Sequence, residues 1–164
     1  FLMTCFPLAV MIIAPFSGTL SDRLGTRGLA AAGAALCAVA LATMAFLPVE
    51  ASPLTVGWRL AFFGLGTGLF QSPNNSAVMG SAPRLHLGVA SGVLATVRNT
   101  GMAIGIAMAG LMLYSVVPAN IIALEYLDGL QAVSFLEGLQ YAYLLGAIFS
   151  ALAALLSLPQ AKHV

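Results

Sequence analysis

The sequence predicts an all-α fold, a polytopic bundle of membrane-spanning helices, and its composition and its apolar stretches both indicate this. Of the 164 residues, 60% are hydrophobic and only 7% are charged, and the mean hydropathy is +1.01. A soluble domain has about 25% charged residues on its water-facing surface, which this chain cannot supply. We therefore expect a lipid bilayer around it.

Five stretches are long and apolar enough to cross about 30 Å of hydrocarbon, which takes about 20 residues of helix. These predicted spans cover residues 1–20, 29–47, 54–79, 89–117 and 139–158. Pro48, Pro118 and Pro159 follow the second, fourth and fifth spans, where a proline cannot continue the helix. The first span begins at Phe1 without a basic flank, so we expect the chain to be a piece of a longer protein.

The links between spans are short except for residues 118–138. This predicted outer loop mixes apolar residues with Glu125, Asp128 and Glu137, a pattern that suits a short amphipathic helix at the membrane surface. An irregular loop is the alternative interpretation.

The distribution of charge predicts the orientation of the chain in the membrane. With five alternating spans, one end of the bundle collects the basic residues Arg23, Arg27, Arg84 and Lys162. The other end collects Glu50, Glu125, Asp128 and Glu137, with Arg59 as the one basic residue near them. Because basic residues concentrate in cytoplasmic links, we expect the 21–28 turn and the C-terminus to be cytoplasmic.

Composition and spacing argue against several classes of function. A formal net charge of +1 excludes a nucleic-acid partner, which needs a basic face. Cys5 and Cys37 lie in apolar stretches and are expected to pack there. His86 and His163 lie outside the spans, and paired acids and metal-ligand spacings are absent from the sequence. We therefore expect no enzyme activity, no metal and no cofactor.

The link between the first two spans concentrates charge and glycine in a short segment. It reads G-T-L-S-D-R-L-G-T-R-G-L from Gly18 onward. Gly18 would let two helices approach, and Gly25 permits a backbone angle that a side chain resists. Asp22 can accept charge-assisted hydrogen bonds from Arg23, Arg27 or a neighbouring helix end.

The third span has a ridge of small residues beside a polar stripe. The ridge recurs every four residues at Gly64, Gly68, Ser72, Ser76 and Gly80, and such ridges let membrane helices pack closely. The stripe consists of Thr67, Gln71, Asn74 and Asn75. Because amides are costly against hydrocarbon, this face either lines a path for a solute or forms hydrogen bonds between helices. Pro73 lies beside the stripe and is expected to kink the helix.

The fourth span contains the only basic residue placed well inside a predicted span, Arg98. It lies roughly 15 Å beyond Gly88 along the helix. Its side chain either reaches back to the cytoplasmic interface, the interpretation we favour, or faces the interior and pairs with a carbonyl or an acid. Gly101 and Gly105 form a second small ridge that is predicted to pack against another helix.

The link after the first span resembles the signature G-x-L-[GAS]-D-R-x-G-R-[RK] of the major facilitator superfamily. The matching residues are Gly18, Leu20, Ser21, Asp22, Arg23, Gly25 and Arg27. Leu24 and Thr26 depart from the signature, since an aromatic residue and a second arginine are usual there. The resemblance implies a gating motif, in which Asp22, Arg23 and Arg27 act as a conformational latch.

The segment from Gly64 to Gly110 also resembles one branch of that family, the drug:proton antiporters and in particular their fourteen-span multidrug exporters. The G-x-G-x-G, S-P-N-N and R-N-T-G patterns carry this similarity. It implies five of the six helices of a C-terminal half, with the N-terminal half as the missing partner. The resemblance also implies proton-coupled export of amphipathic or cationic compounds by alternating access, across a bacterial inner membrane. A small membrane scaffold or assembly subunit is the alternative function.

Overall fold

The structure is a computed structural model that describes residues 2–117 and 129–158, apart from the side chains of Asp22, Leu24 and Leu130. These residues form five long helices: α1 Cys5–Leu24, α2 Thr26–Ala45, α3 Pro53–Ser81, α4 Leu87–Val116 and α5 Gly129–Ser157. Short 3-10 helices at Leu2–Thr4 and Arg84–His86 precede α1 and α4. The predicted all-helical membrane bundle is confirmed.

Four helical segments within the described ranges are long and apolar enough to cross a membrane: Leu2–Ser21, Thr26–Ala45, Arg84–Val116 and Gln131–Ser157. Helix α3 is not among them, although it is 29 residues long, because its amides, hydroxyls and glycines lower its hydropathy. It packs against both α1 and α2, so much of its surface faces protein. That α3 also crosses the bilayer stays a prediction.

The turn predicted over residues 21–28 is shorter than expected. Helix α1 continues to Leu24 and α2 begins at Thr26, so Gly25 alone separates them. Gly25 has φ 87° and ψ 142°, a conformation that L side chains resist, as its place in the sequence predicted. Its N–H donates to the Ser21 carbonyl at 2.9 Å and closes the last turn of α1.

The last helix begins earlier than the sequence indicated. Residues 129–138 were predicted to belong to the outer loop, but they form the first turns of α5. Glu137 is exposed there, while Gly138 is buried. An ideal Cβ on Gly138 would lie 2.9 Å from Leu113 Cδ1 and from Val117 Cγ2. This glycine therefore serves close packing against α4 and does not break the helix. The rest of the predicted loop, with Glu125 and Asp128, lies outside the described residues.

The bundle is held together by close approach of helix backbones. Helix α2 packs most extensively against α3 and α5, and α1 packs against α3. Gly33 of α2 faces Gly66 of α3, and an ideal Cβ on Gly33 would lie 2.5 Å from the Phe70 nitrogen. On the α1 side, an ideal Cβ on Gly64 would lie 2.6 Å from the Phe6 carbonyl oxygen. Backbone contact replaces side-chain interlocking here, since lipid does not drive helices together.

The helices alternate in direction, which gives the bundle two chemically different ends. Thr26, Ala77 and Ser157 line one cavity where α1, α3 and α5 end. Arg23, Arg27 and Arg84 lie at this end, called here the arginine end. The opposite end is called the glutamate end, and it carries Glu50 between α2 and α3 and Glu137 in α5. Lys162 lies outside the described residues.

Candidate functional site

A groove of about 400 Å³ lies between α3 and α4 and is called the polar groove below. It is lined by Thr67, Phe70, Gln71, Asn74, Asn75, Leu94, Val97, Arg98 and Met102. The five residues that the sequence suggested for a solute path, the polar stripe of α3 together with Arg98, are all among them. The structure therefore brings together two features that lie more than 20 positions apart in the chain.

Arg98 and Asn75 connect the two walls of the polar groove. The Arg98 Nη2 donates to Asn75 Oδ1 at 3.0 Å. Arg98 lies roughly 17 Å along α4 from Leu87, whereas Asn75 lies only roughly 9 Å along α3 from Ser81. The arginine side chain therefore leans back toward the start of α4, as helical side chains do. It ends on the amide oxygen of Asn75 in the groove, and the expectation that it reaches back to the cytoplasmic interface stays a prediction.

Gln71 and Asn74 behave differently from Asn75. Both side chains are half-buried and line the polar groove. Neither forms a hydrogen bond with another side chain or backbone group in the described part of the chain. Amides that glue helices together would be expected to do so. Within the described residues no structural hydrogen bond occupies these two amides, and their place on a solute path stays a prediction.

Thr67 differs from the rest of the stripe because its hydroxyl contacts groups on α2 and α3. Its Oγ1 donates to the Phe63 carbonyl one turn earlier at 2.9 Å. The same oxygen lies 3.7 Å from the Sγ of Cys37 on α2. Thr67 therefore joins α3 to α2 at the edge of the groove, and because its hydroxyl proton is used by Phe63, it can serve a solute only as an acceptor.

The polar stripe also borders two neighbouring cavities. Gln71 and Asn75 help to line a cavity of about 320 Å³ that faces Val10 and Ala14 of α1. Asn74 helps to line a cavity of about 330 Å³ at the arginine end, which Arg27 also lines. The stripe is thus accessible from three sides, and Asn74 lies between the polar groove and the gating motif.

Sequence reasoning missed the apolar half of the polar groove. Phe70 belongs to α3, and Leu94, Val97 and Met102 belong to α4. Leu94 and Met102 lie one turn before and one turn after Arg98, on the same face of α4. Helical spacing around Arg98 could have identified those two positions, but it could not have shown that Phe70 lies opposite them.

The residues of the predicted gating motif lie around the α1–α2 junction. Arg23 and Arg27 are exposed at the arginine end. An ideal Cβ on Gly18 would lie 3.6 Å from the Ser72 Oγ of α3, an ordinary contact distance. The side chain of Asp22 lies outside the described part, so its predicted bonds to the arginines stay a prediction.

The four glycines that were predicted to pack helices fall into two pairs. Gly64 and Gly68 lie against α1, where ideal Cβ atoms would meet Phe6 and Ile13. The Ser17 Oγ of α1 lies 3.0 Å from the Gly68 carbonyl and from the Ala14 carbonyl of its own helix, so its one proton is shared between them. For Gly101 and Gly105, nothing in the described helices lies within 4 Å of an ideal Cβ. Their predicted packing role would therefore require a surface beyond these residues.

Comparison with known proteins settles the family of this chain. Residues 1–163 match the model of the Major Facilitator Superfamily. The chain belongs to the Major Facilitator Superfamily. This agrees with the resemblance of the G-x-L-S-D-R-L-G segment and with the all-helical membrane bundle.

Several bacterial transporters of known sequence are similar to this superfamily member. Over 112 residues it is 41% identical to the uncharacterized transporter YebQ of Escherichia coli, which covers 68% of this chain and 24% of YebQ. It is 36% identical over 107 residues to the riboflavin transporter RibZ of Clostridioides difficile, covering 65% and 24% of the two chains. It is 33% identical over 109 residues to the multidrug resistance protein Stp of Mycobacterium tuberculosis, covering 66% and 20%. The matched region is thus about a quarter of these relatives or less.

Proposed function

We propose that the complete protein containing this chain is a proton-coupled exporter of drugs or other small amphipathic compounds that works by alternating access. The observation that carries this proposal is the convergence of the α3 stripe and Arg98 on one groove. Relatives named as a multidrug resistance protein and as a riboflavin transporter add support. The proposal includes the drug:proton antiporter branch and its fourteen-span type, for which the Gly64–Gly110 patterns are the support.

The chemistry of the polar groove suits an amphipathic solute. Polar groups inside a membrane are costly, so they face an interior cavity and mark substrate paths. Gln71 and Asn74 offer amide groups on one wall, and Phe70 and Met102 offer apolar surface beside them. Ligand sites commonly combine apolar walls with a few polar groups that orient the ligand.

Two further roles complete the proposal. Asp22, Arg23 and Arg27 form the latch that biases the gate, with the arginine end in the cytoplasm. The nine residues that line the polar groove include no carboxylate, and proton coupling needs a titratable group that changes its exposure. As the resemblance to the drug:proton antiporters implies, we place that group in the N-terminal half of the transporter.

The test of the groove uses the complete protein in proteoliposomes. We expect Gln71→Ala and Asn74→Ala each to reduce export of a fluorescent amphipathic dye about tenfold, because each removes an amide from the path. Gln140→Ala is the matched control, since its amide lines a cavity at the glutamate end. Unchanged export by both groove variants would contradict the proposed path.

The test of the latch separates gating from folding. Asp22→Asn keeps the size of the side chain and removes its charge, so we expect normal membrane insertion with strongly reduced turnover. Insertion is measured as the amount of protein in washed membranes, and turnover as export per molecule. Export at the wild-type rate would remove the latch from the proposal.

A further inference from the structure

We propose that the polar groove holds the anionic group of the solute at Arg98, so that the exporter prefers amphipathic organic anions over cations. This inference deepens the proposed transport function and rests on it. It concerns the charge of the solute, which the polar stripe alone leaves open.

Arg98 gives the polar groove a positive charge. Arg98 is the only ionisable residue among the nine that line it. A guanidinium stays protonated at any physiological pH, so this wall of the groove carries a fixed positive charge. The α3 wall contributes only a hydroxyl and three amides as polar side chains, and none of these neutralises that charge. A cationic solute would be repelled here, and an anionic one attracted.

Arg98 also has hydrogen-bond donors that remain available to a solute. Arg98 has five N–H donors, and its contact with Asn75 Oδ1 at 3.0 Å uses one of its terminal nitrogens. No other hydrogen bond joins the guanidinium to residues 2–117 or 129–158. Arg98 is exposed, so its remaining donors can reach a solute. An arginine with free donors binds a carboxylate through two parallel hydrogen bonds.

Asn75 holds the Arg98 guanidinium in place for a carboxylate ligand. Its amide oxygen accepts from Arg98 Nη2, which fixes the guanidinium without cancelling its charge. A carboxylate at the same position would form an ion pair and compete with the solute. Since Asn75 accepts through Oδ1, its NH₂ group is a donor, and the Gln71 and Asn74 amides provide more donors along the same wall.

The apolar residues of the polar groove limit the size and the chemistry of the rest of the solute. Leu94, Val97 and Met102 of α4 and Phe70 of α3 line the groove beside the guanidinium. A cavity of about 400 Å³ lies within the range of small-molecule sites. The expected ligand is therefore a compact apolar body, such as an aromatic ring system, that carries one carboxylate or a similar oxyanion.

The experiment compares three probes that share one ring system and differ in charge. These are 2-naphthylacetate, 2-naphthylacetamide and 2-(2-naphthyl)ethylammonium. Binding to the complete purified protein is measured by equilibrium dialysis, and export is measured in proteoliposomes. We expect the acetate to bind at least about tenfold more tightly than the ammonium compound, because Arg98 forms charge-assisted hydrogen bonds with a carboxylate and repels a cation.

Substitutions test whether the preference for the acetate arises in the polar groove. Arg98→Gln should weaken binding of the acetate about tenfold or more and change binding of the neutral amide less than twofold. Arg98→Lys, which keeps the charge, should recover part of the loss. Asn75→Asp adds a carboxylate beside Arg98 and should remove the preference for the acetate. Arg84→Gln is the control, since Arg84 is exposed in the link before α4.

The possible outcomes distinguish failure of the anion site from failure of the proposed transport function. If the amide or the ammonium probe is bound and exported, but Arg98→Gln leaves the acetate-to-ammonium ratio unchanged, the transport function stands and the anion site is wrong. Tighter binding of the ammonium compound by the wild type would also overturn the anion site. If no probe and no amphipathic dye is bound or exported, the proposed transport function fails, and this inference fails with it.

Discussion

Replacing Gly33 by alanine tests how closely α2 and α3 must approach. An ideal Cβ at this position would lie 2.5 Å from the Phe70 nitrogen and 2.9 Å from the Gly66 carbonyl oxygen. These neighbours are backbone atoms and cannot rotate away. Because non-bonded heavy atoms rest about 3.5 Å apart, the two helices would have to separate locally by roughly 1 Å.

The expected magnitude follows from a comparison with Gly28 on the same helix. Nothing lies within 4 Å of an ideal Cβ on Gly28, so Gly28→Ala reports only the gain in helix propensity, at most about 1 kcal/mol. Gly33→Ala has the same gain and adds overpacking, which costs about 1–3 kcal/mol. The free energy of unfolding of Gly33→Ala should therefore be about 1–3 kcal/mol lower than that of Gly28→Ala.

Thermal melting of the complete protein in detergent measures this difference. Each kcal/mol shifts the Tm of a domain of about 150–250 residues by about 2–4 °C and that of a larger protein by less, so Gly33→Ala should melt measurably below Gly28→Ala. Cys37 provides a second readout, because its nitrogen lies 2.8 Å from an ideal Cβ on Gly66. Its labelling by a maleimide should accelerate as α2 and α3 separate. Equal melting and equal labelling in the two variants would refute the close backbone contact.

Three other substitutions use the same melting assay. Gly25→Ala should lower stability by about 1–3 kcal/mol, because φ 87° and ψ 142° strain any side chain; an unchanged Tm would contradict the assigned turn. Arg59→Met should cost about 1.5 kcal/mol, because the Arg59 Nη1 donates to the Thr43 carbonyl near the end of α2 at 2.7 Å, and Arg59→Lys should recover part of it. Ser17→Ala removes the hydroxyl that reaches the Gly68 carbonyl. It should cost only about 0.6 kcal/mol, the usual value for a hydrogen bond between membrane helices. A loss above about 2 kcal/mol would show that Ser17 has a larger role.

Local patterns of sequence were sufficient to locate most of the helices. Hydropathy depends on each residue's own transfer from water to lipid, so it can be summed along the chain without knowledge of the fold. The conformation of Gly25 was likewise predictable, because a glycine between two helices indicates a turn. The start of α5 was not, because Glu137 and Gly138 have the composition of a loop. Contact of Gly138 with α4 allows the helix to continue through them.

The polar groove could be predicted only in part. The helical spacing of Gln71 and Asn74 placed them on one face of α3, since 3.6 residues make a turn. The distance between that face and Arg98 depends on how α3 and α4 cross, which no spacing within a single helix specifies. The same limit applies to the pairing of Gly33 with Gly66.

The sequence by itself determined that this chain is a bundle of membrane helices with one polar face on α3 and one arginine within α4. Only the tertiary structure decided that Arg98 meets Asn75 and that Thr67 lies against Cys37 of α2. The physical reason is the range of the interactions. Transfer from water and helix periodicity act within one segment, whereas contacts between helices depend on the geometry of the whole bundle.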